Sequence, residues 1–188
     1  DIALMRSIPG MTVLNPADDT EAKLAVEAAY KHDGPVYIRF GRLAAPVIFG
    51  DDYKFEIGKG VELKEGNDIT VIATGLMVGT ALEAYETLKE KGINARIINM
   101  PTIKPIDSDI IIKAAKETGK IVTVEEHSVI GGLGSAVCDV VCENCPVPVY
   151  KIGVNDEFGY SGPATELLKI FGLSAENIVN TVCKALGK

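Results

Sequence analysis

The sequence predicts an α/β protein: a mostly parallel sheet covered by helices on both faces, preceded by a β-α-β fragment. Short, branched apolar runs such as Asp68–Gly75 and Lys120–Glu125 alternate with stretches of helical periodicity along most of the 188 residues. Such alternation closes as parallel strands joined by helical crossovers. It is interrupted once, over residues 43 to 60, where Pro46 and Gly50-Asp51-Asp52 supply turn chemistry and no helical period is sustained. The break divides the chain into residues 1–45, a linker 46–60 and a main domain 61–188.

The opening stretch, Ile2 to Ile8, is apolar and periodic and runs into Pro9-Gly10. Met11–Leu14 has the length and branching of a short buried strand. Asp18 or Asp19 can cap the helix that follows, Glu21 lies in its first turn, and Ala22, Ala25, Val26 and Ala29 recur at helical spacing up to Tyr30. The turn His32-Asp33-Gly34-Pro35 ends that helix, and Val36–Phe40 is a second strand. Two strands do not hold a sheet alone. This, with a first residue other than Met, makes the chain read as the C-terminal piece of a larger protein. In the main domain, strand Asp68–Gly75 leads into a helix from about Val78 to Lys91, with Leu82, Tyr85 and Leu88 on its inner face. Strand Ala95–Met100, a Pro-bounded turn, helix Ser108–Thr118, strand Lys120–Glu125, helix Gly132–Glu143 and strand Val147–Val154 follow. Two short helices, Pro163–Phe171 and Ala175–Leu186, finish the chain.

A net charge of −7 argues against a nucleic-acid partner, which needs a clustered basic face. The hydrophobic fraction of 47% belongs to a buried core, since no apolar run approaches the roughly 20 residues of a spanning helix. No membrane partner is expected. The four cysteines, three of them between Cys138 and Cys145, follow no leader-like segment and fit free thiols in a reducing cytoplasm.

Several motifs could carry chemistry. Cys138-x3-Cys142-x2-Cys145 has the spacing of an iron-sulfur ligand set, but periodicity puts it on a helix with Val137, Cys138 and Val141 inward. There a free cysteine acts as a small hydrophobe. Gly131-Gly132-Leu133-Gly134-Ser135-Ala136 follows a strand and opens a helix, where N–H groups and the helix dipole can hold a phosphate. The alternative, favoured here, is a tight crossing that needs glycine. His127 follows Glu125-Glu126 at a strand end; a carboxylate neighbour would raise its pKa and suit it to proton transfer. His32 sits in a polar, solvated turn. Arg39 and Arg42 flank the end of the second strand, and a guanidinium fork there suits a phosphorylated substrate. An ion pair with a nearby carboxylate explains such an arginine equally well.

Five stretches together resemble the transketolases: His32–Arg42, Asp68–Gly75, Asn99–Asp107, Val124–Val137 and Gly159–Glu166. They are colinear and span nearly the whole chain. The resemblance implies that residues 1–45 are the tail of a thiamine diphosphate pyrimidine-binding domain and that 61–188 are the C-terminal domain of the family. It implies transfer of a two-carbon ketol unit between sugar phosphates in the pentose phosphate pathway, with thiamine diphosphate and Mg2+ or Ca2+ bound mainly by regions outside these residues. In the family the glutamate that activates the aminopyrimidine, and the histidine and aspartate that handle the sugar hydroxyls, precede the matched stretches. Arg42 matches the arginine that binds the sugar phosphate; Arg39 is added by proximity. No catalytic, cofactor or metal ligand is assigned within the chain. The implied partners are the N-terminal half or subunit, a second copy in a homodimer, and phosphorylated sugars; the chain alone should be inactive.

The 1-deoxy-D-xylulose-5-phosphate synthases and the β subunits of 2-oxo acid dehydrogenases share parts of the pattern. The synthases usually carry proline before the substrate arginine, where this chain has Gly41. A non-enzymatic reading, a dimerisation and stability module, also fits.

Overall fold

The computed structural model describes residues 1–188 as fifteen elements in two sheets. Helix α1 (Ile2–Ser7) leads to strand β1 (Thr12–Leu14), helix α2 (Asp19–Lys31) and strand β2 (Val36–Ile38). No helix or strand follows until β3 (Val61–Lys64), β4 (Ile69–Ala73), α3 (Met77–Glu90), β5 (Ala95–Asn99) and β6 (Thr102–Lys104). Then come α4 (Ser108–Thr118), β7 (Ile121–Ser128), α5 (Leu133–Asn144), β8 (Val149–Val154), α6 (Ala164–Ile170) and α7 (Ala175–Leu186).

The larger sheet has the order β3-β5-β4-β7-β8, parallel from β5 through β8. Its central strands are buried on both sides, and the two-residue period sorts their side chains between two cores. Ile69, Val71 and Ala73 of β4 pack with Met77, Ala81 and Leu88 of α3 and Ile178 and Val182 of α7. Ile72, one register away, packs on the other face with Ile111 of α4 and Leu133 and Val137 of α5. This is the α/β arrangement expected, with helices on both faces.

Two strands were missing from that expectation. β3 pairs antiparallel with β5 and closes one edge of the large sheet. β6, at the expected turn between Pro101 and Pro105, pairs antiparallel with β1 in the order β2-β1-β6. The β-α-β unit thus finds a third strand that comes from beyond residue 60. Both added strands are four residues or fewer, too short for periodicity to register. Helix α2 also differs in its inner face: Glu21 and Ala25 are buried, while Val26 is 49% and Tyr30 91% exposed.

Residues 39–60 lack regular structure yet are tied down. Phe49 and Tyr53 stack with centroids 3.8 Å apart. The Gly58 N–H donates to Thr102 Oγ1 at 3.2 Å and the Gly60 N–H to Asp107 Oδ2 at 3.0 Å.

Candidate functional site

The C-terminal ends of β1, β2, β4 and β7 meet at the junction of the two sheets. The Gly75 N–H, just past β4, donates to the Asn15 carbonyl just past β1 (3.1 Å), and the Arg39 N–H donates to the Leu14 carbonyl (2.9 Å). An added Cβ at Gly75, whose φ is +57°, would come within 2.6 Å of the Asn15 side chain, so this approach requires glycine. Ends of parallel strands are where α/β folds place ligands.

The two arginines expected to hold phosphate lie here and differ. Arg39 is half-buried; its Nε lies 3.1 Å from Asp1 Oδ2 and its Nη1 3.4 Å from Glu126 Oε2. Arg42 is exposed and has neither ion pair nor hydrogen bond. Its chain neighbours Gly41 and Leu43, with Phe40 and Leu76, line a cavity of about 150 Å³ together with Asp18 and Asp19 from the start of α2.

Beneath the loop is a buried polar cluster. Asp18 caps α2, its Oδ1 accepting from the Glu21 N–H at 2.8 Å. The other oxygen accepts from the N–H groups of Ile48 (2.6 Å) and Phe49 (2.8 Å). Glu21 reaches back to the Ala17 N–H (2.7 Å) and accepts from Tyr53 Oη (2.6 Å) and Asn99 Nδ2 (2.8 Å). Burial lifts the Glu21 carboxyl from 4.5 to about 7, against the pull of its three donors. Burial, then the Glu21 charge, pushes the Tyr53 hydroxyl up as well. From the sequence, Glu21 stands out only as an acidic residue in the first turn of α2. Its Asp-x-x-Glu spacing with Asp18, close to a capping box, was the available signal.

The glycine turn after β7 is filled from within. The carboxylate of Glu125, a fully buried residue, accepts from the Leu133 N–H (2.7 Å) and the Gly134 N–H (2.8 Å), occupying the donors that a phosphate would use. Burial raises the Glu125 pKa despite those two bonds. His127 departs from the expectation of a raised pKa: burial lowers it, and its Nδ1 donates to the Ser128 carbonyl at 2.8 Å. Nor is His32 simply solvated, since its Nε2 lies 3.1 Å from Thr12 Oγ1. On α5, Val137 and Val141 are buried as expected, while Cys138 is only half-buried and Cys142 exposed. No group of three or more His, Cys, Asp or Glu side chains is arranged to hold a metal ion.

Fold and junction define an α/β protein in which a five-stranded sheet covered by helices sits beside a three-stranded sheet, with exposed Arg42 near the strand ends. The family model described as "Transketolase, C-terminal domain" matches residues 58–178, and "Transketolase, pyrimidine binding domain" matches residues 1–47. Among curated proteins, the chain is 46% identical over 179 residues to a 6-deoxy-6-sulfo-D-fructose transketolase subunit of Clostridium sp. (strain MSTE9), covering 95% of the chain and 56% of that protein. It is 43% identical over 189 residues to an apulose-4-phosphate transketolase subunit of Phocaeicola vulgatus, covering 100% of the chain and 60% of the relative. A solved structure described as a split gene transketolase, an inactive β4 tetramer, superposes with a TM-score of 0.96 at 49% identity, over 99% of this chain and 61% of that one. The chain belongs to the transketolase family, whose members depend on thiamine diphosphate. It spans 56 to 60% of the length of these two curated relatives.

Proposed function

We propose that these residues are the C-terminal section of a thiamine diphosphate-dependent transketolase, in which residues 1–45 complete the pyrimidine-binding domain, 46–60 connect, and 61–188 form the C-terminal domain. The activity is transfer of a two-carbon ketol unit between sugar phosphates, as in the pentose phosphate pathway, in a cytoplasmic enzyme that works as a dimer or higher assembly with its N-terminal half or subunit. Gly41, where the synthases usually carry proline, keeps the reading on transketolase.

Support for placing thiamine diphosphate and its Mg2+ or Ca2+ elsewhere comes from Glu125, whose carboxylate occupies the N–H donors of the glycine-rich helix start. Those groups are assigned to the other section. This chain contributes Arg42. Both relatives above are named for sugars that carry a sulfo or phosphate group, and Arg42 is an exposed cation without a carboxylate partner. That observation carries the reading. A guanidinium holding the distal anion spends remote binding energy on orienting the reacting carbonyl. Arg39 adds its charge to the same stretch while bound to Asp1 and Glu126.

In the assembled enzyme Arg42→Ala should raise KM for phosphorylated sugars roughly 10- to 100-fold, the value of a charge-assisted hydrogen bond, and leave thiamine diphosphate affinity unchanged. Equal kinetics on phosphorylated and unphosphorylated sugars would refute the assignment. A second reading, an assembly module, is favoured by the tetramer of the similar solved structure. Size-exclusion chromatography with and without the other section separates a self-associating chain from one that assembles only with its partner.

A further inference from the structure

The segment that carries Arg42 is a bridge held near its ends. Its near end is fixed where the Arg39 N–H donates to Leu14. Its far end is fixed by two side chains from the start of α2: Asp18 Oδ2 accepts from both the Ile48 and Phe49 N–H groups, and Thr20 Oγ1 donates to the Phe49 carbonyl at 3.2 Å. Residues 40–47 between them make no backbone hydrogen bond. The span rests instead on packing against α3. An added Cβ at Gly41 would lie 3.8 Å from Leu76 Cβ, an ordinary contact, and one at Gly79 would come within 2.9 Å of Pro46 Cγ and 3.3 Å of its Cδ.

Asp18 is only 4% exposed, and its other oxygen caps α2, so one carboxylate couples a rigid helix start to the far end of the Arg42 bridge. Gly79 lies inside α3, where alanine would be favoured by about 1 kcal/mol; its missing methyl is the clearance that seats the Pro46 ring. We propose that Asp18 and Gly79 are positioning residues that set the place of the Arg42 guanidinium, so that preference for phosphorylated sugars depends on two residues that never touch substrate. The inference rests on the reading of Arg42 as the phosphate anchor. Its physical basis is that a misplacement of about 1 Å, even by a change remote from the chemistry, can cost on the order of 100-fold.

The test uses the assembled enzyme with thiamine diphosphate and Mg2+, and measures KM and kcat on a phosphorylated sugar and on its unphosphorylated counterpart. Asp18→Asn replaces one acceptor oxygen with an N–H2 group. Gly79→Ala keeps the helix and pushes on Pro46, so it remains informative if the first variant folds poorly. Each should raise KM for the phosphorylated sugar roughly tenfold and leave KM for the unphosphorylated one within about twofold. Adding Pro46→Ala to Gly79→Ala removes the opposing ring atoms and should restore the phosphorylated KM. Both variants behaving as wild type while Arg42→Ala shows its effect would overturn the inference and leave the anchor standing. An equal rise on both sugars, or no restoration by Pro46→Ala, would also overturn it. An Arg42→Ala variant without any effect on the phosphorylated sugar would remove the anchor and the inference together.

Discussion

Glu21 has no exposed surface, and the three hydrogen bonds it accepts join α2, the irregular segment and β5. Its native pKa of about 7 lies above the 4.5 of a free glutamate. The protonated form is therefore favoured by folding; its contribution to stability is full below about pH 4.5 and is lost as pH rises to about 7. The difference corresponds to roughly 3 kcal/mol. Urea denaturation of wild type and Glu21→Gln should show the variant gaining on wild type by about that amount between pH 4.5 and 8; a gap that does not change with pH would contradict it. Among single residues, the place of Arg42 just past the end of β2 was legible in the sequence, but its lack of an ion-pair partner was not, since spacing alone allowed a nearby carboxylate. Asp18 was legible as a helix cap, but its second oxygen bonds Ile48 and Phe49, thirty residues on, a partnership no local pattern encodes. The low pKa of His127 was hidden for the same reason: adjacent Glu125 and Glu126 suggested a raised value, and burial decided the opposite.

Long elements with a clear period were readable and short ones were not. β4, with every residue buried, and α4, with its cap at Asp107 and its stop at Gly119, carry their own signals. β3 and β6 exist through their partners, β5 and β1. The crossing from β7 to α5 lies between these cases: its glycines announced close packing, but only the fold shows that the packed group is the Glu125 carboxylate. Gly132 has φ −84°, open to any residue, yet an added Cβ would collide with Glu125 Oε2 and lie 2.7 Å from His127 Nδ1. Gly132→Ala should thus destabilise the chain by about 1–3 kcal/mol through overpacking, read as a lower urea midpoint at unchanged slope. An unaltered midpoint would show that the crossing has slack the structure does not contain.

At the scale of the whole molecule, the small sheet is the informative feature. β1 and β2 belong to the part matched by the pyrimidine-binding domain, while β6, which pairs with β1, belongs to the part matched by the C-terminal domain. Lys104 Nζ adds bonds to the Arg6 and Ile8 carbonyls at 2.9 and 2.7 Å, and Arg6 Nη1 donates to the Gly132 carbonyl at 3.2 Å. The seam between the parts is thus built from backbone pairing and from the half-buried side chains of Lys104 and Arg6. The most direct test is to assay ketol transfer between sugar phosphates with thiamine diphosphate and Mg2+, using this chain alone and then mixed with the remaining section of the enzyme. The expected result is no turnover by the chain alone and transfer when both sections are present. Turnover by the chain alone, or none by the mixture, would contradict it.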